Sequence, residues 1–142
     1  MDKKQCRLVY ISRPSPLAPG DLGNILAVSQ RNNAKLEITG ALMFNKDFFF
    51  QVLEGPLDAV NQLYAKIEKD PLHHDCFMIL QELIAFRQFG DWSMAYIPEE
   101  KISNALISEF GLNRYDTIKN LPHNKLAQLL DTLAGVDIRH TP

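Results

Sequence analysis

The chain has 142 residues, 46% of them hydrophobic and 23% charged, with a formal net charge of −2. One domain of ordinary globular composition is expected at that length, able to bury roughly 70% of its unfolded surface. The slightly acidic total leaves no electrostatic footprint for nucleic acid or an anionic membrane. Cys6 and Cys76 are too few for a disulfide framework and lack metal-ligand spacing. The apolar run that follows Met1–Cys6 is too short for a signal-peptide core, and no run nears the roughly 18 apolar residues of a membrane span. A soluble protein of the reducing cytoplasm is the expectation.

Leu8-Val9-Tyr10-Ile11-Ser12 is rich in β-formers and predicts a strand, with Leu8, Tyr10 and Ser12 on one face and Val9 and Ile11 on the other. Pro14, Pro16, Pro19 and Gly20 break regular structure, and Asp21 can cap a helix from Leu22 to Asn33. Leu22, Leu26, Ser29 and Asn33 share a stripe of that helix that turns polar toward its end, so Asn33 faces the interior and Asn32 the flank. A hairpin turning at Asn45-Lys46-Asp47 follows, closed by Gly55 and Pro56. Val60, Leu63, Tyr64 and Ile67 form the buried face of a second helix ending near Asp70-Pro71. Cys76 to Leu80 is a continuous apolar run that suits a buried strand. After a turn at Phe89-Gly90-Asp91, Trp92, Met94 and Tyr96 alternate onto one face of a last strand.

The order β-α-β-β-α-β-β predicts a ferredoxin-like α+β sandwich, a five-stranded mixed sheet with both helices on one face. The tail can cover the other face as a two-helix cap. One helix begins at Pro98 and carries Ile102, Ala105, Leu106 and Phe110; the other runs from Pro122 to Ala134 and buries Leu126, Leu129, Leu130 and Leu133. Residues 7–98 form the expected domain and 99–142 an appended helical extension.

Gln51 is out of place in this pattern. It stands within Phe48-Phe49-Phe50-Gln51-Val52-Leu53, the most apolar run of the chain. An amide group buried without a partner costs roughly 1–3 kcal/mol. Either Gln51 is exposed, or something polar under the hairpin meets it, and a ligand is the reading favoured.

Placed in order, Tyr10, Asn33, Thr39-Gly40, Phe49-Phe50-Gln51, Leu53-Glu54-Gly55, Asp70-Pro71-Leu72-His73 and Trp92-Ser93-Met94 resemble the BLUF domains, blue-light sensors using flavin. The resemblance covers about Arg7 to Ile97. It implies FAD, or FMN, with the isoalloxazine ring between the two helices. Asn33 would hold the ring's polar edge, and Ile25 and Ile67 would pack on its faces. Ser29, on the same helix, joins the expected flavin contacts. Asn32, Lys66, Asp70 and His73 would surround the ribityl chain and phosphates. Lys66 stands where relatives frequently carry Arg, and supplies charge without the bidentate fork. Val52 departs from those relatives that carry a bulky aromatic after the Gln.

The resemblance also implies the photochemistry. Tyr10 would give an electron to the photoexcited ring and its proton would follow through Gln51, leaving Gln51 rearranged with a new hydrogen bond to a ring carbonyl. Trp92 and Met94 would carry the change outward. The protein would then not be an enzyme. It would signal through the last strand and the C-terminal helices to a homo-oligomer or a downstream effector, with no nucleic acid and no membrane as partner. Taken singly, the same residues have plainer readings: Tyr10 a strand tyrosine, Asn33 a helix-end residue, Trp92 and Met94 core. Two other functions occur on this fold: an RNA- or protein-binding module without flavin, with Phe48, Phe49 and Phe50 stacking on bases, though the strand lacks the Gly-rich basic pattern and the net charge is wrong, and a small acyl-phosphate hydrolase, for which Arg13 followed by Pro14 and Pro16 makes a poor anion cradle.

Overall fold

The structure is a computed structural model that describes residues 4–91 and 93–135. Its elements are β1 (Gln5–Pro14), α1 (Asp21–Lys35), β2 (Thr39–Phe44), β3 (Phe49–Pro56), α2 (Leu57–Glu68), β4 (His73–Leu83), β5 (Ala95–Ile97), a 3-10 turn (Glu99–Lys101), α3 (Asn104–Phe110), α4 (Tyr115–Lys119) and α5 (His123–Ala134). The strands form one sheet in the order β4-β1-β3-β2-β5, antiparallel except for the parallel β2–β5 pair. This is the expected ferredoxin-like sandwich with helices on both faces of a mixed sheet.

Strand alternation sorts the apolar residues into two cores. Leu8, Tyr10, Leu42, Phe49 and Leu53 face α1 and α2, against Leu26, Val60 and Tyr64. Val9, Ile11, Phe50 and Val52 face the C-terminal helices, against Phe110, Leu126, Leu129, Leu130 and Leu133. The leucine spacing of α5 thus does what its period predicts. Among the described residues no helix is long and apolar enough to cross a membrane.

Four local expectations are corrected. Gly20, in the left-handed region at φ 90, is the N-cap of α1. Asp21 is the first helical residue, and its Oδ2 accepts from the backbone N–H of Ala18 at 2.7 Å, tying down the proline-rich loop in place of capping the helix. β4 is an edge strand, not a buried one: Phe77 and Met78 are 40% and 37% exposed. An apolar run reports what a strand can bury, not its place in the sheet order, and β4 has a neighbour on one side only. β5 is shorter than expected. Met94 and Tyr96 do face the α1/α2 core, and Trp92 lies outside the described residues. Finally, Pro98 leads into the 3-10 turn, α3 starts later with Ser103 Oγ accepting from Leu106 N–H, and α4 adds a short third helix to the cap.

Gly40 in β2 packs directly against the backbone of β3. A Cβ at this position would overlap the Val52 carbonyl oxygen on β3, a backbone atom that has no rotamer to give way. Gly40→Ala should therefore destabilise the fold by about 1–3 kcal/mol or more. Urea unfolding checks this, with Gly23→Ala as the comparison, since a Cβ there meets nothing within 4 Å.

Candidate functional site

Between α1 and α2, over the strand face that carries Tyr10, Leu42, Phe49 and Gln51, lies a cleft of about 240 Å³. All nine residues expected to contact a cofactor line it: Ile25, Ser29, Asn32, Asn33, Gln51, Lys66, Ile67, Asp70 and His73. The helical periods bring them there. Asn33 is seven residues after Leu26 on the sheet-facing stripe and is 2% exposed, whereas Asn32 is turned to the flank and is exposed. Val28, Leu63 and Leu72 complete apolar walls that the sequence reasoning missed. Val28 is 45% exposed and Leu72 36%, an apolar surface left open at the cleft mouth.

Gln51 is buried, not exposed, and its amide is satisfied at both ends. Tyr10 and Gln51 are direct cross-strand partners in the β1–β3 register. Tyr10 Oη donates to Gln51 Oε1 at 2.5 Å, and Gln51 Nε2 donates to Met94 Sδ at 3.2 Å. Met94 is itself fully buried. Two carboxamides from α1 grip the same stretch of backbone. Asn33 Nδ2 donates to Ser93 O at 3.0 Å and Gln30 Nε2 to Met94 O at 2.9 Å. Gln30 was not anticipated; its signal is its position four residues after Leu26 and three before Asn33. Trp92, expected to act with Met94, lies outside the described residues.

The surroundings of Tyr10 keep its phenol protonated. Burial is the main cause of a strongly raised pKa, with the nearby Cys76, Tyr64 and Asp70 acting in the same direction. The Tyr64 ring lies 5.4 Å from the Tyr10 ring, and burial pushes its phenol up to about 12. His73 Nδ1 shares a 2.7 Å hydrogen bond with Ser12 Oγ. Burial lowers the His73 pKa and so favours the neutral ring, against the opposing pull of Asp70. Asp70 Oδ1 accepts from Leu72 N–H at 2.9 Å and so shapes the turn under the mouth. Lys66 is exposed there, a cation on the rim.

This donor set fits a flavin. A planar aromatic ring with two apolar faces matches walls built from Ile25 and Val28 of α1 and Leu63 and Ile67 of α2. Its hydrogen-bonding edge matches the carboxamides of Asn33 and Gln51 at the cleft floor. Lys66 on the rim suits a phosphate as a point charge. The two competing functions fare worse. Phe48, Phe49 and Phe50 are all buried, at 0%, 5% and 1% exposure, and cannot stack on bases. Arg13 is engaged by Asp75 and Asp116 and lies over the Tyr115 ring at 4.0 Å, so it faces the cap and not an anion cradle.

Comparison with known proteins agrees. The family model of BLUF, described as sensors of blue-light using FAD, matches residues 6–95. The photoactivated adenylate cyclase subunit beta of Euglena longa is 36% identical over 104 residues, which is 72% of this chain and 12% of that subunit. The chain therefore spans about an eighth of that relative's length. Among solved structures, BlsA in its photo-activated state superposes with a TM-score of 0.80 at 29% identity, covering 95% of this chain and 98% of BlsA. BlrB in its dark state gives 0.77 at 29% identity, covering 93% and 96%.

The buried phenols set a pH dependence. The unfolded chain releases the protons of Tyr10 and Tyr64 near the ordinary value of 10, and the folded chain releases them later. Above pH 10 the folded form thus binds more protons than the unfolded one, so stability that is complete below that value is lost as pH rises. The stability of the wild type relative to Tyr10→Phe should be constant below pH 10 and then fall by up to about 1.4 kcal/mol per pH unit. Denaturant titrations of both proteins across this range check the sign.

Proposed function

This chain belongs to the BLUF family of blue-light sensors using FAD, and on that premise we propose that it is a flavin photoreceptor switched by the hydrogen bonds of Gln51. The observation that carries the reading is the chain of contacts from Tyr10 Oη to Gln51 Oε1 and from Gln51 Nε2 to Met94 Sδ, at the floor of a cleft that fits the ring. FAD is the proposed flavin, with Lys66 and Asn32 toward its phosphates and Ile25 and Ile67 on the ring faces. When bound, the flavin supplies absorption of blue light and an acceptor for an electron from Tyr10.

What the side chains do follows from their geometry. Tyr10 Oη keeps its phenolic proton directed at Gln51 Oε1 and can pass it along that bond when it gives up an electron, and proton and electron both return to Tyr10 before the rearranged state is reached. Gln51 can then reorganise by turning over or by tautomerising. A turned amide places Nε2 toward Tyr10, whose oxygen accepts, and Oε1 toward Met94. Met94 sulfur carries no hydrogen to donate. The turned amide therefore loses its Met94 contact and needs a new partner on the cleft side, where the polar edge of the ring lies in this reading. Asn33 and Gln30 hold Ser93 and Met94 in place, so the loss of the Gln51 contact is felt at the start of β5. A packed element biased by one local bond is a bistable switch.

We further propose residues 7–98 as the light-sensing unit and 99–142 as the extension through which the signal leaves, by self-association or to an effector protein. The matched part of the Euglena longa cyclase subunit is a small fraction of it, and no cyclase activity is carried over to this chain. The protein should purify yellow and show a reversible red shift of the flavin band after blue light. Gln51→Leu should keep flavin and lose the shift; a normal shift in that variant refutes the mechanism. Tyr10→Phe should abolish photoconversion, and unchanged conversion would move the donor role to another residue.

A further inference from the structure

Among the described residues, Glu54 is a carboxylate with no solvent exposure that the photochemistry above does not use. It stands on β3, three residues after Gln51, on the opposite face of the sheet. Both of its oxygens are occupied. Oε2 accepts from Arg7 Nε at 2.8 Å and from the backbone N–H of Gln88 at 3.1 Å, and Oε1 accepts from the backbone N–H of Phe89 at 2.7 Å. Arg7 lies across the strand pair from Glu54 and also reaches Glu82 on β4 at 3.0 Å.

A buried ion pair of this kind is not needed for stability, since apolar residues of similar volume often serve as well or better. What a carboxylate does there, and an apolar side chain does not, is accept two successive backbone N–H groups and so fix where residues 88 and 89 sit. Phe89 is fully buried in the core against α5, and Gln88 Nε2 donates to Asp131 Oδ1 on α5 at 2.5 Å. The same segment then runs on to Ser93 and Met94 on the flavin-binding face. We propose that Glu54 is a positioning residue that fixes the segment leading to Met94 against Gln51, and that the Gln88–Asp131 bond joins this segment to α5. The proposal rests on the photoreceptor reading given above. It makes α5, at Asp131, the first part of the cap to register a change at Met94.

The test is hydrogen exchange on the whole flavin-loaded chain, in the dark and under blue light, beside the recovery of the red shift. In the wild type, light should change exchange both in the segment around residues 88–97 and in α5. In Glu54→Gln, dark exchange at Gln88 and Phe89 should rise about tenfold or more, and the red-shifted state should revert several-fold faster because Met94 is held less firmly. A lower melting temperature with unchanged recovery and unchanged exchange at these two amides would make Glu54 merely structural and overturn the proposal. Asp131→Ala removes an exposed side chain far from the chromophore. It should keep the red shift and its lifetime and lose the light-dependent change in α5. An intact α5 response in that variant overturns the proposed link while leaving the photoreceptor reading standing. A wild type with no reversible red shift overturns both.

Discussion

The site depends on an asymmetry between two atoms. A carboxamide has an end that donates and an end that accepts, and a thioether has no hydrogen to donate. With Met94 sulfur fixed on one side of Gln51, the amide nitrogen is the end that belongs there, and the amide oxygen is left to accept from Tyr10. One resting orientation follows from one element, sulfur, at one position. Any other orientation is disfavoured by the protein and must be supported from the cleft. In the function proposed above, that asymmetry is what would let one state rest and another be held from the cleft.

The fold exists to hold those atoms at these separations. Tyr10 and Gln51 meet because β1 and β3 are paired in a register that sets them opposite each other, and a slip of one residue would turn every side chain to the wrong core. Gly40 lets β2 lie close on the other side of β3, so the strand that carries Gln51 is held between two neighbours. α1 reaches down with Gln30 and Asn33 to hold the chain at Ser93 and Met94. From the far face, Glu54 holds the approach to the same segment. Burial on both faces gives these polar groups an environment where leaving one unpaired costs roughly 1–3 kcal/mol, which is why the pairing is specific.

Much of this was legible because period and alternation are strong signals. The strand faces of β1, the stripe ending at Asn33 and the leucines of α5 all follow from spacing alone. Period already turned Ser29, Asn33 and Ile67 inward, but that the nine cleft residues surround a ligand came from the match to a family, since spacing by itself reads Lys66 and Asp70 as a solvated helix edge. What the sequence hid was of two kinds. Sheet order is a long-range property, so the apolar run of β4 gave no sign that it lies at the edge. Side-chain hydrogen bonds to backbone depend on where distant loops pass. Thus Gln30 was not anticipated, Glu54 read only as part of a motif, and Asp21 read as a cap when it in fact ties the preceding loop. Arg7 and Glu54 were the missed clue, opposite charges placed to meet across β1 and β3 once the hairpin register is known.

β5 is only three residues long and joins the sheet by the single parallel pairing of Ala41, Leu42 and Met43 with Ala95, Tyr96 and Ile97. Its neighbours in the chain divide between the two faces, Met94 and Tyr96 toward α1 and α2, and Ala95 and Ile97 toward the cap. Few backbone bonds tether it, yet it belongs to both interiors at once. The longer strands alternate between the same two interiors, but each is held along six or more paired residues. β5 carries that alternation on three paired residues alone, so a single peptide link, Met94 to Ala95, joins a side chain of one interior to a side chain of the other with little of the sheet to hold it.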